Sequence, residues 1–390
     1  MTFYIPEPVR RALSLLETAG YEAYLVGGCV RDTLRKELPK DFDMTTNARP
    51  EEVLSVFREF RTIETGLRHG TVTVLIEEMP LEITTYRVDG DYLDHRRPEC
   101  VSFTASLTED LARRDFTVNA MAYHPARGLV DPFGGQADLA AGVIRAVGEP
   151  CRRFTEDALR ILRALRFSAR FGFQVEEATA AAARQLSPTL REIAAERIRE
   201  ELYGLLVSDH AADILAVYGD ILAVVLPEVG DACALSALPA ELPLRLSELF
   251  LACGESVALE ALRRLRADNQ TLRTVGVLLR VYADGVAPDH AALCRLLRHT
   301  PRDVIRMALI LRAAHGYEDR EAEQMLEEIF ASGECYRIDM LAVDGEDLAS
   351  LGIPRGPALG AALEEAYSAV IERRVRNEKE ALLSFLAKKG

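Results

Sequence analysis

The stretch Leu25-Val26-Gly27-Gly28-Cys29-Val30-Arg31-Asp32, followed by Lys40-Asp41-Phe42-Asp43, decides how the N-terminal part of this 390-residue chain is interpreted. The apolar residues before Gly27 predict a strand, and the two glycines predict a tight turn into a helix. Asp41 and Asp43 stand one residue apart on a second predicted strand, so their carboxylates face the same side. The stretch therefore combines a turn that can approach phosphates with a pair of converging acids.

The acidic pair and the glycine turn suit the same chemistry. Two carboxylates on one face fit Mg²⁺, which takes a few carboxylates and completes its ligand set with water and phosphate oxygens. Glu82, on the alternating segment 81–85, can supply a third acid from a neighbouring strand. The backbone N–H groups of the turn and the Arg31 side chain can bind a triphosphate. Together they indicate nucleotidyl transfer, whereas either half alone also fits a solvated strand face or an ordinary turn.

The amino-acid composition is that of an ordinary globular protein, with 49% hydrophobic and 28% charged residues. No window approaches the roughly 18 uninterrupted apolar residues that a membrane span needs, so no membrane partner is expected. The seven cysteines are odd in number and scattered, without a Cys-x-x-Cys pair, and the N-terminus lacks a basic region followed by an apolar stretch. This pattern favours a reducing compartment and predicts a cytoplasmic protein.

Charge is unevenly distributed along the chain. A net charge of −14 would by itself disfavour a nucleic-acid partner, because phosphate contacts need lysine and arginine. Residues 145–170 nevertheless contain seven arginines against three acidic residues. This local excess predicts a place where a polyanion could dock.

The predicted fold is an α+β N-terminal domain, with helices on a mixed or antiparallel sheet, followed by an all-α C-terminal half. Strands and helices alternate up to about residue 148, and helical periodicity dominates beyond it. The polar segment 88–100 has no period and predicts a mobile loop. In the first part the sequence predicts a helix over 7–19, strands over 23–26 and 41–45, and a hairpin of 71–77 and 81–87 with its turn at 78–80. Further on it predicts helices over 155–170, 177–186 and 192–207.

The predicted helix over 155–170 has polar residues spaced by three beside a buried leucine stripe. The polar residues are Asp157, Arg160, Arg163 and Arg166, and the leucines are Leu159, Leu162 and Leu165. A carboxylate acceptor and a guanidinium donor one turn apart can pair with the edge of cytosine or adenine, and neither uracil nor guanine presents that pattern. The sequence therefore predicts a protein surface that selects C and A; the alternative is a salt-bridged helix face.

These motifs resemble those of the polymerase-β-like nucleotidyltransferase superfamily. Gly27-Gly28-x-Val30-Arg31-Asp32 with Asp41-x-Asp43 looks like the first motif of that superfamily. Arg113-Arg114-Asp115-Phe116-Thr117-x-Asn119-Ala120 and Glu156-Asp157-x-x-Arg160 are similar to later motifs of one branch. That branch comprises the bacterial class II tRNA nucleotidyltransferases, or CCA-adding enzymes, and their poly(A) polymerase relatives. The resemblance is dense over residues 20–205 and looser to the end.

The resemblance implies a role for each matching residue. Asp41 and Asp43 would bind the catalytic Mg²⁺, while Glu82 stays a candidate third acid from the strand pattern alone. The remaining roles concern the nucleotide. Its triphosphate would be held by Gly27, Gly28 and Arg31, and its phosphate or ribose by Arg114 and Asp115, with support from Asn119. Its base would be contacted by Asp157 and Arg160, with Arg163 and Arg166 nearby.

The activity implied is template-independent addition of C, C and A to the 3′ end of tRNA from CTP and ATP, with release of pyrophosphate. Enzymes that add only CC or only A, and poly(A) polymerases, share the same motifs. The segment 87–100, which includes Asp94-His95-Arg96-Arg97-Pro98, is similar to a loop of full CCA-adding enzymes that CC-adding enzymes tend to have shortened, so the resemblance favours complete CCA addition. Poly(A) polymerases of this branch tend to carry a long basic C-terminal extension, and the short basic tip at 387–390 therefore disfavours poly(A) synthesis. An inactive RNA-binding scaffold is disfavoured by the two intact aspartates, and a small-molecule nucleotidyltransferase by the arginine-striped helical region.

The predicted division of the chain has four parts. A catalytic head covers 1–148, a helical neck with the base-selecting helix covers 149–207, a helical body covers 208–315, and a helical tail covers 316–390. The helical half, and the tail above all, would bind the acceptor and T arms of tRNA. The glycines at 352, 356 and 360 fit either a phosphate-binding hairpin or a plain turn between helices. The sequence does not predict the oligomeric state.

Overall fold

The computed structural model describes residues 3–89, 101–230 and 234–388. It divides the chain into two compact units, Met1–Pro227 and Glu228–Gly390. The first unit combines a sheet with helices and the described part of the second is helical, so the predicted fold class is confirmed. The finer division into head, neck, body and tail stays a prediction.

The strands of the described residues all lie in the first unit. They are β1 (Ala23–Val26), β2 (Asp43–Thr46), β3 (Arg61–Ile63), β4 (Thr71–Ile76), β5 (Met79–Thr85), β6 (Arg87–Asp89), β7 (Val101–Phe103), β8 (Ala122–His124), β9 (Gly128–Val130), β10 (Val143–Ile144) and β11 (Gln174–Val175). Seven of them form one sheet in the order β3-β4-β5-β2-β1-β8-β9. Only the β2–β5 pairing in that sheet is parallel. The sheet is therefore mixed, as predicted.

Helices cover both faces of the sheet and continue beyond it. In the first unit they are α1 (Glu7–Thr18), α2 (Gly28–Leu34), α3 (Pro50–Val56), α4 (Leu107–Ala112), α5 (Gly135–Ala141), α6 (Pro150–Glu156), α7 (Leu159–Phe171), α8 (Glu177–Leu186), α9 (Ala195–Leu206) and α10 (Ala211–Val225). In the second unit they are α11 (Leu242–Phe250), α12 (Gly254–Arg264), α13 (Asn269–Asp284), α14 (His290–His299), α15 (Arg302–Ala314), α16 (Arg320–Ser332), α17 (Gly345–Ser350), α18 (Pro357–Ile371) and α19 (Lys379–Ala387). Among the described residues, none of these helices has the length and apolar character to cross a bilayer.

The hydrophobic core of the first unit holds the sheet between two layers. On one face, apolar residues of β1, β4 and β5 pack with α1 and α3, and Val72, Val74 and Ile83 are fully buried there. On the other face, Tyr86 and Leu111 belong to a smaller buried cluster beside α4. The pairing of β1 with β2 puts Leu25 opposite Met44, so the end of β1, where the glycine turn begins, lies beside the start of β2.

The helix predicted over 192–207 begins only at Ala195, and three further predicted boundaries are wrong. The hairpin turn consists of Glu77 and Glu78, both with positive φ, so β5 already begins at Met79. The strand predicted over 41–45 begins only at Asp43, which leaves Asp41 in the segment that leads into β2. The helix predicted over 155–170 is two helices, because α6 ends at Glu156 and Asp157 has extended backbone angles (φ −145°, ψ 102°) before α7 begins.

Candidate active site

The three predicted acids come together where β2 begins, opposite the middle of β5. Asp43 is the first residue of β2, and the parallel pairing of β2 with β5 puts it in register with Glu82. Asp41 precedes it by two residues, while the intervening Phe42 is buried in the core. Asp41, Asp43 and Glu82 are all exposed, so a ligand in solvent can reach them. The structure thus places Glu82 where the strand pattern predicts, and its role as a metal ligand stays a prediction.

Mutual repulsion marks this acidic group as a place for a cation. Although the Asp43 carboxylate is accessible, partial loss of hydration raises its pKa, and the negative charges of Glu82 and Asp41 raise it further; the positive charge of Arg114 opposes them. In the described part of the chain, no three acidic, histidine or cysteine side chains are arranged to hold a metal by themselves. A partial set of oxygen ligands fits a hard divalent cation, which completes its shell from water and phosphate.

The glycine turn brings a guanidinium close to these acids. Gly27 has φ +74° and ψ −125°, a conformation that favours glycine. A Cβ atom at Gly27 would lie 3.1 Å from Nη1 of Arg114, so the guanidinium lies against the turn. Nη2 of Arg114 is 3.5 Å from the buried Asp110 carboxylate, while its buried Nε has no hydrogen-bond partner among the described residues. Arg114 therefore keeps a donor for a ligand at the turn.

A chain of hydrogen bonds connects the predicted phosphate side to the predicted base side. Arg31, buried in α2, donates from Nη1 to Oδ1 of Asn119 (2.6 Å), and Asn119 donates from Nδ2 to Oδ1 of Asp115 (3.1 Å). Arg163 of α7 donates from Nε to Oδ2 of Asp115 (2.9 Å). Burial would raise the pKa of Asp115, but Arg163 and the bond from Asn119 outweigh it and hold that pKa at about 2. The charged Asp115 therefore holds α7 to the segment after α4.

Arg160 lies on α7 but its guanidinium is largely committed to the protein. It donates from Nη1 to Oε2 of Glu156 (2.9 Å) and to the carbonyl of Arg153 (3.2 Å), and from Nη2 to the carbonyl of Arg113 (3.0 Å). Asp157 lies before the helix, so the predicted pairing of Asp157 and Arg160 one turn apart on a single helix is wrong. The leucine stripe of α7 is buried as predicted.

Sequence reasoning missed three acidic or basic partners of these residues. Asp157 accepts from the backbone N–H of Leu159 (3.1 Å) and from Nη2 of Arg197 (2.8 Å). Glu201, buried on α9, contacts two arginines of α7, Arg163 and Arg166, at 3.3 and 2.9 Å. Asp110, noted above, pairs with both arginines that follow it at 113 and 114. Only Asp110 has a local signal, namely arginines three and four residues later, directly after the end of α4.

These pairings change the interpretation of the arginine-rich tract 145–170. Four acids from outside the tract neutralise three of its arginines: Asp138 and Glu176 pair with Arg145, Asp115 pairs with Arg163, and Glu201 contacts both Arg163 and Arg166. Within the tract, Glu156 pairs with the arginines at 152, 153 and 160. The local positive excess counted from sequence is therefore smaller in the fold, and most of these arginines serve internal contacts.

The segment 87–100, from which complete CCA addition was predicted, is described only in part. Its first three residues form β6, which pairs antiparallel with β7. Residues 90–100, including the Arg-Arg-Pro end of the segment, lie outside the described residues.

Known proteins match this chain over nearly its full length. Family models match for the poly A polymerase head domain (residues 23–145), the RNA and SrmB-binding site of polymerase A (172–233) and tRNA nucleotidyltransferase domain 2 (246–386). The CCA-adding enzyme of Limosilactobacillus fermentum is 36% identical over 97% of this chain and 95% of its own length. That of Geobacillus thermodenitrificans is 37% identical over 98% of both. The chain belongs to the CCA-adding enzyme family.

Solved structures agree with this assignment to the CCA-adding enzymes. A crystal structure of the Bacillus stearothermophilus CCA-adding enzyme in complex with CTP is 32% identical, with a TM-score of 0.81, and covers 99% of this chain and 98% of its own. A Thermotoga maritima CCA-adding enzyme complexed with tRNA, 21% identical with a TM-score of 0.70, shows the same fold. Membership confirms the nucleotidyltransferase activity and the use of a divalent metal that the motifs predict.

Proposed function

We propose that this chain adds C, C and A in turn to the 3′ end of tRNA, from CTP and ATP, without a nucleic-acid template. The observation that carries the proposal is the position of Asp43 in a chain of this family: it is in register with Glu82 and within electrostatic reach of Arg114, whose guanidinium lies against the Gly27 turn. Relatives over the full length are named CCA-adding enzymes. Binding of tRNA by the tail 316–390 and a cytoplasmic location belong to the same proposal.

Asp41 and Asp43 are the residues that would hold Mg²⁺, with Glu82 as the third candidate. Bound there, Mg²⁺ would neutralise phosphate charge and favour in-line displacement. Arg31 and Arg114 would bind the triphosphate: both are positively charged, and the buried Nε of Arg114 has a donor to offer. These groups are fixed in advance, so they stabilise developing charge without reorganising.

The reaction itself is a substitution at the α-phosphorus of the nucleotide. The 3′ hydroxyl of the tRNA releases its proton to solvent while its oxygen forms the new bond to that phosphorus and the bond to pyrophosphate breaks. The protein contributes by holding the two reactants in line, and such orientation is worth about 7–11 kcal/mol in favourable cases. No protein side chain needs to form a covalent bond.

Base selection would rest on Asp157 and Arg160. Each Asp157 oxygen accepts one hydrogen bond from the protein and retains capacity for another, which an exocyclic amine of cytosine or adenine can fill. Arg160 uses three of its five N–H donors on Glu156 and two carbonyls, so two remain for ring nitrogens or carbonyl oxygens. Although the two residues do not share a helix, the acceptor–donor pair predicted from sequence is still available.

Replacing Asp43 by alanine tests the proposal. We expect Asp43→Ala to lower the incorporation rate by at least about 100-fold while the dissociation constant for tRNA stays near that of the wild type. The matched control is Asp220→Ala, which removes an exposed carboxylate of α10 that pairs with Arg184. Incorporation of labelled CTP and a filter-binding titration with tRNA measure the two quantities. Wild-type incorporation by Asp43→Ala would refute the assignment of the active site.

A further inference from the structure

The carboxylate of Asp157 is oriented by a residue that no motif in the sequence singles out. Asp157 lies in the break between α6 and α7, where its extended backbone does not belong to either helix. Oδ1 accepts the backbone N–H of Leu159 at 3.1 Å, and Oδ2 accepts Nη2 of Arg197 at 2.8 Å. The helix start alone fixes only one oxygen, so Arg197 decides the rotation of the carboxylate plane.

Arg197 is held in place by its own helix. It lies in the first turn of α9, and α9 packs along α7. One turn later on α9, the buried Glu201 contacts Arg163 and Arg166 of α7. Residues four apart on a helix share a face. That face of α9 therefore holds the start of α7 through Asp157 and the middle of α7 through its two arginines.

We propose that Arg197 is a positioning residue for nucleotide selection, acting through Asp157. This proposal rests on the proposed function, in which Asp157 accepts the exocyclic amine of cytosine or adenine. A charge-assisted N–H···O bond has a narrow geometry, so it holds the free lone pair of Oδ2 in one direction. Nη1 of Arg197 is buried without a hydrogen-bond partner among the described residues, which leaves one more donor beside Asp157 for an oxygen of the substrate or of water.

The test compares Arg197→Met and Arg197→Lys with the control Arg191→Met. Methionine keeps much of the apolar stem but removes the donors, and lysine keeps the charge on a compact ammonium without the planar guanidinium fork. Arg191 is an exposed arginine shortly before α9. Incorporation of CTP, UTP and GTP is measured singly on tRNA that ends before its CCA, and incorporation of ATP, UTP and GTP is measured singly on tRNA that ends in CC. The thermal melting temperature of each variant is measured alongside.

We expect Arg197→Met to lower kcat/KM for CTP and ATP by about 10- to 100-fold, the range for losing a hydrogen bond to a charged group. Incorporation of UTP and GTP should fall much less, so discrimination narrows, and KM for tRNA should stay unchanged. Arg197→Lys should recover part of the loss, and Arg191→Met should match the wild type. The readout is a ratio between nucleotides, which the fraction of folded enzyme does not change.

Two results separate this inference from the proposed function. If wild-type enzyme adds C and A, and Arg197→Met lowers kcat/KM for all four nucleotides by the same factor, Arg197 only stabilises the fold and the inference is overturned. If Arg197→Met does not fold, Arg197→Lys is used to measure kcat/KM for CTP and ATP relative to UTP and GTP. Unchanged discrimination between nucleotides in that variant overturns the inference equally. If wild-type enzyme itself does not distinguish C and A from U and G, the proposed function fails.

Discussion

Replacing Asp115 by asparagine tests the energetics of the site most sharply, because this carboxylate joins Asn119 to Arg163 of α7. Its pKa of about 2 lies below its ordinary 3.8, so the folded state favours the charged form by about 2 kcal/mol. Removing one partner of a buried ion pair can cost about 3–5 kcal/mol. We therefore expect Asp115→Asn to lower the free energy of unfolding of the first unit by about 2–4 kcal/mol at pH 7.

The assay is urea unfolding followed by circular dichroism, with Asp220→Asn as the control. Asp220 pairs with Arg184 at 3.2 Å, and both side chains are about half exposed, so losing this pair should cost less than about 1 kcal/mol. Since the folded-state pKa of Asp115 is lowered, its contribution to stability is complete only above about pH 5, and it is lost progressively as the pH falls towards 2. The difference between wild type and Asp115→Asn should narrow over that range. Equal, small effects of the two substitutions at pH 7 would refute the reasoning.

Two further substitutions probe the packing behind the site. Glu201→Gln removes the buried counter-charge of two arginines on α7. We expect kcat/KM for CTP to fall at least about 10-fold in a single-nucleotide incorporation assay. An unchanged kcat/KM would contradict a role for this contact. In Gly135→Ala the new Cβ would lie 2.2 Å from the carbonyl oxygen of Thr117, so the backbone must move, and urea unfolding should show a loss of about 1–3 kcal/mol or more. Gly219→Ala, whose Cβ meets nothing within 4 Å, should change stability by about 1 kcal/mol at most, and equal effects at the two glycines would disprove the steric argument.

Local patterns were sufficient to predict much of the first unit. The strand Ala23–Val26 and the helix Glu177–Leu186 have the predicted bounds, because apolar runs with flanking turn residues determine them. The position of Glu82 beside Asp43 follows from the period of two along a strand and the pairing of neighbours. The hairpin turn starts one residue earlier than predicted, because Glu77 and Glu78 adopt the left-handed conformation that usually favours glycine or asparagine.

Long-range contacts account for what the sequence did not predict. The break at Asp157 has no proline or glycine, and its only signal is an aspartate that accepts the N–H of Leu159 at the start of an apolar run. Arg197 and Glu201 lie about 40 residues beyond their partners on another helix. Spacing within one helix cannot reveal such pairs, since the packing of α7 on α9 creates them.

Template-independent CCA addition is tested by sequencing the product made from tRNA that ends before its CCA. Wild-type protein is incubated with CTP alone, with ATP alone and with both, in the presence of Mg²⁺, and the 3′ ends are sequenced. We expect CC with CTP alone and a homogeneous CCA end, with no further residues, when both nucleotides are present. Ends that stop at CC with both nucleotides present, that carry A alone, or that extend into poly(A) would contradict this expectation.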